Sequence, residues 1–353
     1  MSNKMYSWQM TELNSDFVLK ESSFPELQNG EVLVKIAGCG VCHTDLSFWH
    51  FGVKTKKELP LTLGHEISGT VVEGSQESLG KNVIIPAVLP CGECELCKKG
   101  RSNMCQNQLM PGNDFHGGFA SHIKVPSKFL CPVPDSLLEK YPLEKLSVVA
   151  DAISTPYQVL EKSELEAGDL AIVIGVGGVG IYAALIAKIM GATVLAIDID
   201  DEKLEMAKNS GVDAVLNVKD TDVRTTKGNV REIAKGLGVS RFGWKIFEIS
   251  GTKAGQELAY NLLTFTSTMS IVGFTMDKPD VRLSNLMAFD AKIIGTWGCK
   301  PELYPEVVDL IATDKLNIDP FIELFPLSKI NEVFKNTLAH KYKKRSILVP
   351  DFD

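Results

Sequence analysis

The 353-residue chain has no apolar run approaching the ~18–20 residues that a membrane-spanning helix needs. It also lacks a basic excess. Its 37 Lys and Arg are outnumbered by 44 Asp and Glu, giving a net charge of -7, which argues against a dedicated binder of nucleic-acid phosphates. The opening MSNKMYSWQM has neither the basic start nor the apolar core of a signal peptide, so a cytoplasmic location is expected. Internal repeats and low-complexity stretches are missing. Apolar residues are not: at 44% of the chain they can bury enough surface to offset chain entropy, so disorder is not expected.

Cysteine is the residue whose distribution is unusual. Of eight, Cys39 and Cys42 form one group and Cys91, Cys94 and Cys97 another, with Cys105 close behind. Without an export signal, such clustering reads as metal ligation rather than a disulfide framework. Cys131 and Cys299 stand alone and read as small buried apolar residues.

The style of the chain changes near residue 152. Before it, short β-type runs broken by Gly and Pro, such as EVLVKIAG (31–38), ISGTVVEG (67–74), NVIIPAV (82–88) and FASHIKVP (119–126), predict a compact, barrel-like β domain. From about 165 the rhythm becomes strand, helix, strand. LAIVIG (170–175), TVLAIDI (193–199), DAVLNV (213–218), WKIFEI (244–249), TMSIVGF (268–274) and AKIIGTW (291–297) predict six strands. Helical patterns EKLEMAKNSG (202–211), NVREIAKGLG (229–238) and AGQELAYNLL (254–263) lie between them. Near-continuous apolar strands alternating with helices describe a parallel sheet covered on both faces, an α/β doubly wound domain. The polar TDVRTTKGN (221–229) predicts a surface loop, and the tail from 298 to 353 is expected to return to the first domain. The boundaries are therefore set at 1–152, 153–297 and 298–353.

LAIVIG runs directly into Gly175, Gly177, Gly178, Val179 and Gly180, followed by the helical IYAALIAKIMGA. One glycine permits the tight turn, one lets the backbone approach a pyrophosphate, and one lets helix pack on strand. The helix N-terminus then offers free N–H groups to the phosphates. Asp198 ends the next strand, 23 residues after Gly175, where a carboxylate accepts hydrogen bonds from ribose hydroxyls and repels a 2′-phosphate. This predicts NAD rather than NADP. A glycine-rich turn alone is weak evidence, but here strand, turn, helix, strand and acid follow in order.

Cys91, Cys94, Cys97 and Cys105 place four thiolates within fifteen residues, enough to close a tetrahedral shell with no open position. A structural Zn²⁺ is predicted. An iron–sulfur cluster also uses four Cys, but zinc is preferred because the other motif is zinc-like too. In that motif, Cys42 lies in CHTD and His65 in GHE, 23 residues apart. One thiolate and one imidazole form the mixed set of catalytic zinc sites that keep a position open. Read singly, Cys39-Gly-Val-Cys42 imitates a redox pair and His65 a core histidine. Beside a nucleotide site they read as a Lewis acid for a hydride-transfer enzyme.

GCGVCHTD, GHE, the four-Cys lobe and the glycine turn, in this order, resemble the zinc-dependent medium-chain alcohol dehydrogenases along essentially the whole chain. The resemblance implies a GroES-like catalytic domain interrupted by a Rossmann domain. It implies Cys42, His65 and Glu66 at a catalytic zinc, with Glu66 behind the metal and able to exchange onto it. Thr44 then takes the substrate proton, and His43 and Arg345 lie near the cofactor pyrophosphate. Lys203 lies near the adenosine ribose, and Thr155 joins the cofactor-binding set. Two positions depart from the usual pattern. Asp151, in VVADAISTPY, stands where the family commonly has a third Cys ligand, and a carboxylate is a plausible zinc donor. Ser47 replaces a frequent relay histidine, so the proton from Thr44 is expected to leave through cofactor ribose and water.

Longer strings narrow the resemblance: YSWQM, AGCGVCHTDL, LGHEISGTVV, GWKIFE, KAGQE, LMAFDAKIIGTWGC and YPEV are similar to one subgroup. Its members oxidise the ring alcohol of 6-hydroxycyclohex-1-ene-1-carbonyl-CoA in anaerobic breakdown of aromatic acids. The implied substrate is thus a cyclic acyl-CoA thioester, with NAD and two Zn²⁺ per chain and a homodimer or homotetramer as the assembly. Lys54, Lys56, Lys57 and Arg101 are candidates for the CoA phosphates, each read more simply as solvated surface. The alternatives are an NAD-dependent dehydrogenase of another small secondary alcohol, or a non-catalytic nucleotide-binding relative.

Overall fold

The computed structural model describes residues 3–352. They form two compact units, one of residues 3–154 together with 298–352, the other of Thr155–Trp297. Among the described residues no helix is long and apolar enough to cross a membrane.

The Thr155–Trp297 unit is built on six parallel strands. Their spatial order is Ala214–Asn217, Thr193–Asp198, Leu170–Ile174, Lys245–Glu248, Thr268–Ile271 and Lys292–Gly295. In chain order this is third, second, first, fourth, fifth, sixth, the doubly wound order whose reversal lies beside the first strand. Leu170–Ile174 is buried at every position, as its unbroken apolar run requires when helices cover both faces.

The helical pattern at 229–238 begins earlier than its apolar spacing suggests. The helix runs Val223–Gly236, so TDVRTTKGN is not a surface loop: its last seven residues are the helix's N-terminal half. Asp222 caps it, its carboxylate accepting from the N–H groups of Arg224 and Thr225. Thr226, Val230 and Ala234 line the buried stripe at four-residue spacing. Only one residue of the first two turns faces the core, which is why composition there resembles a loop.

In the other unit, Glu31–Gly40 is the strand around which the sheet is organised. It pairs antiparallel with Glu66–Glu73, with His122–Pro126, and at Cys39 and Gly40 with Arg345–Val349. The sheet continues through Asn82–Ile85 and Cys131–Pro132 on one side and Ile322–Pro326 on the other. Val34, Ile36, Leu63, Ile67, Phe119 and Phe334 fill its core. The C-terminal segment therefore supplies two strands of a sheet begun by residue 31.

Candidate functional site

Three turns of the Glu31–Gly40 unit converge on one cluster. Cys42 leaves that strand as the extended N-cap of the helix His43–Trp49. His65 immediately precedes Glu66–Glu73, and Asp151 ends the 3₁₀ stretch Leu143–Ala150. One donor atom from each of Cys42, His65, Glu66 and Asp151 lies within 4.8 Å of the others. Asp151 Oδ2 stands 3.7 Å from Cys42 Sγ and 3.6 Å from His65 Nε2. Zinc bonds of about 2.3 Å to sulfur and about 2.0–2.2 Å to nitrogen or oxygen, at tetrahedral angles, put those pairs about 3.6 and about 3.4 Å apart. Asp151 thus already stands at zinc-shell edge lengths from Cys42 and from His65. The donor set also carries surplus negative charge. Burial opposes a charged His65, yet the Asp45 charge and hydrogen bonds to Asp151, Asp45 and Cys42 hold its pKa well above the usual range. A divalent cation satisfies the same field.

Glu66 is held differently. Arg345 Nε donates to Glu66 Oε2 at 3.0 Å and Nη2 closes on Oε1, with both side chains buried. Gly40 makes room for the pair, since a Cβ there would stand 2.0 Å from Glu66 Oε2. Glu66 therefore backs the cluster with both oxygens engaged, while Cys42, His65 and Asp151 face one another. Arg345, expected near a pyrophosphate, is turned inward onto this carboxylate. His43 is exposed and stacks on His340 with ring centroids 6.1 Å apart. The Thr44 hydroxyl lies 3.7 Å from Cys42 Sγ, and Ser47 Oγ donates to the His43 carbonyl at 2.9 Å.

Asp45 is a residue that motif reading passes over. Fully buried, it accepts from the Cys42 N–H (2.9 Å) through Oδ2 and from the Gly64 N–H (3.0 Å) through Oδ1. Oδ1 also stands 3.4 Å from His65 Nδ1. One carboxylate thereby fixes the backbone at Cys42 and just before His65 and faces the His65 ring, the placement of an outer-shell partner to a metal-binding imidazole. The signal was its position three residues after Cys42, that of a capping carboxylate. Cys39 lies in the barrel core, its thiol pushed up by burial, and takes no part in the cluster.

The second cluster lies in the lobe around the short helix Glu95–Lys98. Sulfur separations are 3.5 Å for Cys94–Cys97, 3.4 Å for Cys91–Cys105 and 3.8 Å for Cys94–Cys105. Four sulfurs tetrahedral about zinc would be about 3.8 Å apart. Backbone N–H groups of Cys91 and Asn107 point at Cys105 Sγ, and that of Cys94 at Cys91 Sγ. Such donors favour thiolates. N–H groups of Cys97 and Gln106 draw the Cys94 thiol down to about 6, whereas burial outweighs the N–H donors at Cys105, raising it, and takes Cys97 up to about 12. Cys131 and Cys299 are buried and belong to neither cluster, the first pushed up by burial to about 11.

In the parallel-sheet unit, the glycines after Leu170–Ile174 divide the work as expected of a dinucleotide turn. Gly175 takes φ 88° and lies against Ser250, whose N and Cα would be 2.6 Å from an added Cβ. Gly180 opens the helix Gly180–Ile189, where a Cβ would stand 1.8 Å from the Gly175 carbonyl oxygen. A Cβ at Gly177 would meet nothing within 4 Å. Gly178 and Val179 complete the turn, Val179 as the helix N-cap. Asp198 closes it from the neighbouring strand, accepting from Val176 N through Oδ2 and from Ile199 N and Asp200 N through Oδ1. Lys203 lies in the first turn of the helix Asp201–Asn209, and Thr155 is buried in the helix Ser154–Lys162. Glu248, also missed in the sequence, ties down the adjoining loop. Its Oε1 accepts from Ser250 and Gly251 N–H groups, and burial raises its pKa to about 7. Of the surface cations proposed for CoA, Lys56 is paired with Asp114 at 2.9 Å.

Residues 28–135 match the alcohol dehydrogenase GroES-like domain family and residues 178–313 the zinc-binding dehydrogenase family. An alcohol dehydrogenase of Geobacillus stearothermophilus is 32% identical over 96% of this chain and 97% of its own. A D-arabinose 1-dehydrogenase (NADP(+)) of Saccharolobus solfataricus is 30% identical over 94% of each. The solved alcohol dehydrogenase of Aeropyrum pernix superposes with a TM-score of 0.87 at 28% identity, covering 98% of this chain and 100% of that one. The chain belongs to the zinc-type medium-chain alcohol dehydrogenase family. It is an NAD(P)-dependent oxidoreductase acting on alcohols, with a GroES-like unit and a Rossmann-like parallel sheet.

Proposed function

We propose that this enzyme oxidises the ring alcohol of 6-hydroxycyclohex-1-ene-1-carbonyl-CoA to the 6-oxo product with NAD⁺, in anaerobic benzoyl-CoA degradation. Alcohol oxidation rests on one observation above others: Asp151 completes a three-donor set with Cys42 and His65 at zinc-shell separations. The thioester is supported by the strings shared with that subgroup, with Asp151 itself part of the likeness. A preference for NAD is supported by Asp198, whose carboxylate would repel a 2′-phosphate. Two zinc ions per chain are supported by the two donor clusters.

A zinc ion held by Cys42, His65 and Asp151 supplies Lewis acidity to the alcohol oxygen, and NAD⁺ supplies the acceptor for the hydride. The chain's own residues do the rest. Thr44, beside Cys42, receives the hydroxyl proton and passes it outward. The relay position carries Ser47, whose hydroxyl is bonded back to its own helix, rather than an imidazole. Asp45 fixes the His65 ring, and Arg345 keeps Glu66 behind the donors. Gly177 leaves space for the pyrophosphate.

The deciding assay follows NADH formation from the thioester, beside cyclohexenol and ethanol, with NAD⁺ and NADP⁺ in parallel. Turnover confined to the thioester and to NAD⁺ is expected. Turnover of the free alcohols without the thioester would sink the substrate and leave alcohol oxidation standing.

The assembly we propose is a homodimer or homotetramer formed through the sheet edge. Lys292–Gly295 is an outer strand, and Ile293, Met287, Leu283 and Trp297 in and around it are exposed at 39%, 80%, 66% and 47%. Contiguous exposed apolar surface beside an open strand edge favours pairing with a second copy. Ile293→Lys is expected to shift the sedimentation coefficient towards the monomer; a wild-type monomer at micromolar concentration would remove the proposal.

A further inference from the structure

We infer that Tyr304 is a positioning residue that sets Asp151 in the metal cluster. The inference rests on the reading of Asp151 as the third donor. Tyr304 opens the helix Tyr304–Ala312 in the returning C-terminal segment and is fully buried. Its hydroxyl donates a short hydrogen bond to the Ala150 carbonyl and accepts from the Ala87 N–H at 3.3 Å. Ser154 Oγ donates to the same carbonyl at 3.2 Å. Two hydroxyls thus converge on the oxygen of the residue before Asp151.

The consequence follows from peptide geometry. The Ala150 carbonyl and the Asp151 nitrogen share one rigid plane, so fixing the oxygen fixes the direction in which the Asp151 Cα leaves it. Asp151 needs that help. At φ -144° and ψ -52° it has left the 3₁₀ turn and has no helical ladder to orient it. Its neighbours Val148, Val149, Ala152 and Ile153 are apolar and buried, so they anchor the loop by packing without directing a hydrogen bond at that oxygen. A phenylalanine would fill the same space as Tyr304. The phenol oxygen sits in a buried place where it must be paired, and its partners are the Ala150 carbonyl, the Ala87 N–H and the Ser154 hydroxyl.

Tyr304→Phe in the full-length, zinc-loaded enzyme tests this. Loss of outer-shell support typically weakens a metal about 10–100-fold. A chelator titration of the variant should therefore release one zinc at correspondingly lower chelator concentration, with the four-Cys zinc unmoved. Cobalt substituted at the mixed-donor site should show a shifted ligand-field spectrum, which a merely packing role would not produce. Ser154→Ala removes the other hydroxyl from the same carbonyl and serves if the phenylalanine variant does not fold. Wild-type zinc retention and an unchanged cobalt spectrum in whichever variant folds would overturn the inference, even if the melting temperature falls. Asp151→Ala run alongside separates the two claims: if it keeps both metals, the donor reading fails, independently of Tyr304.

Discussion

Asp151→Ala is expected to leave one zinc per chain in place of two and to lower turnover about a thousandfold or more, since several kcal/mol of charge stabilisation leave with the metal. The reason lies in what cannot take its place. Glu66 is within 4.8 Å of the other donors but has both oxygens on Arg345, in a pocket where Gly40 allows nothing larger than hydrogen. Moving it onto the metal would strand a buried guanidinium. Asp151→Cys should retain the metal, because a thiolate keeps the charge and denticity of the lost donor. Metal analysis with steady-state rates checks both variants, and two zincs with full activity in the alanine variant would refute the assignment.

The second large effect is a single methyl group. Gly180→Ala would bring Cβ to 1.8 Å from the Gly175 carbonyl oxygen, a backbone atom that cannot swing aside. The helix must shift or the turn must open, at about 1–3 kcal/mol for an overpacked site, and the anion-binding N-terminus moves with it. Gly177→Ala is the contrast. Its Cβ meets nothing within 4 Å in the protein alone, so folding should be untouched. On the proposed reading of the turn, the methyl would point into the space that a pyrophosphate needs. Calorimetry should show weaker NAD⁺ binding in both variants, by roughly tenfold or more, but a lowered melting temperature only for Gly180→Ala. Wild-type affinity in the Gly177 variant would remove the phosphates from that turn.

The two predictions rest on residues that were legible beforehand to different degrees. The cysteine lobe and the glycine turn are local: their donors and N–H groups lie within fifteen residues, and spacing alone constrains their geometry. The alternation of apolar strands with helices gave the parallel sheet for the same reason. Asp45 needed three-dimensional context, because its partners are Cys42 on one side and Gly64 and His65 on the other. Arg345 was expected near a pyrophosphate through the family resemblance alone, and nothing in the tail shows that it will meet Glu66. Tyr304 entered only as the first residue of YPEV, one of the strings behind the subgroup likeness, and nothing there marked its hydroxyl; a tyrosine in an apolar helix reads as core until that hydroxyl's partners are known. The stretch TDVRTTKGN failed differently. Its helix has a capping Asp222, but the residues after it are polar because that turn faces water.

The pairing of Arg345–Val349 with Glu31–Gly40 also orders events during synthesis. Glu66 leaves the ribosome 279 residues before Arg345. At about 5–20 residues per second, that separation lasts roughly a quarter of a minute to a minute. Through that interval the nascent barrel has a carboxylate destined for burial with no cation to meet it, and a sheet edge at Cys39 and Gly40 still unclaimed. The parallel-sheet unit, by contrast, is contiguous from residue 155 to 297 and can close as soon as it emerges. The carboxylate side of the metal pocket is thus completed only once the strand carrying Arg345 is made, after the parallel-sheet unit has emerged.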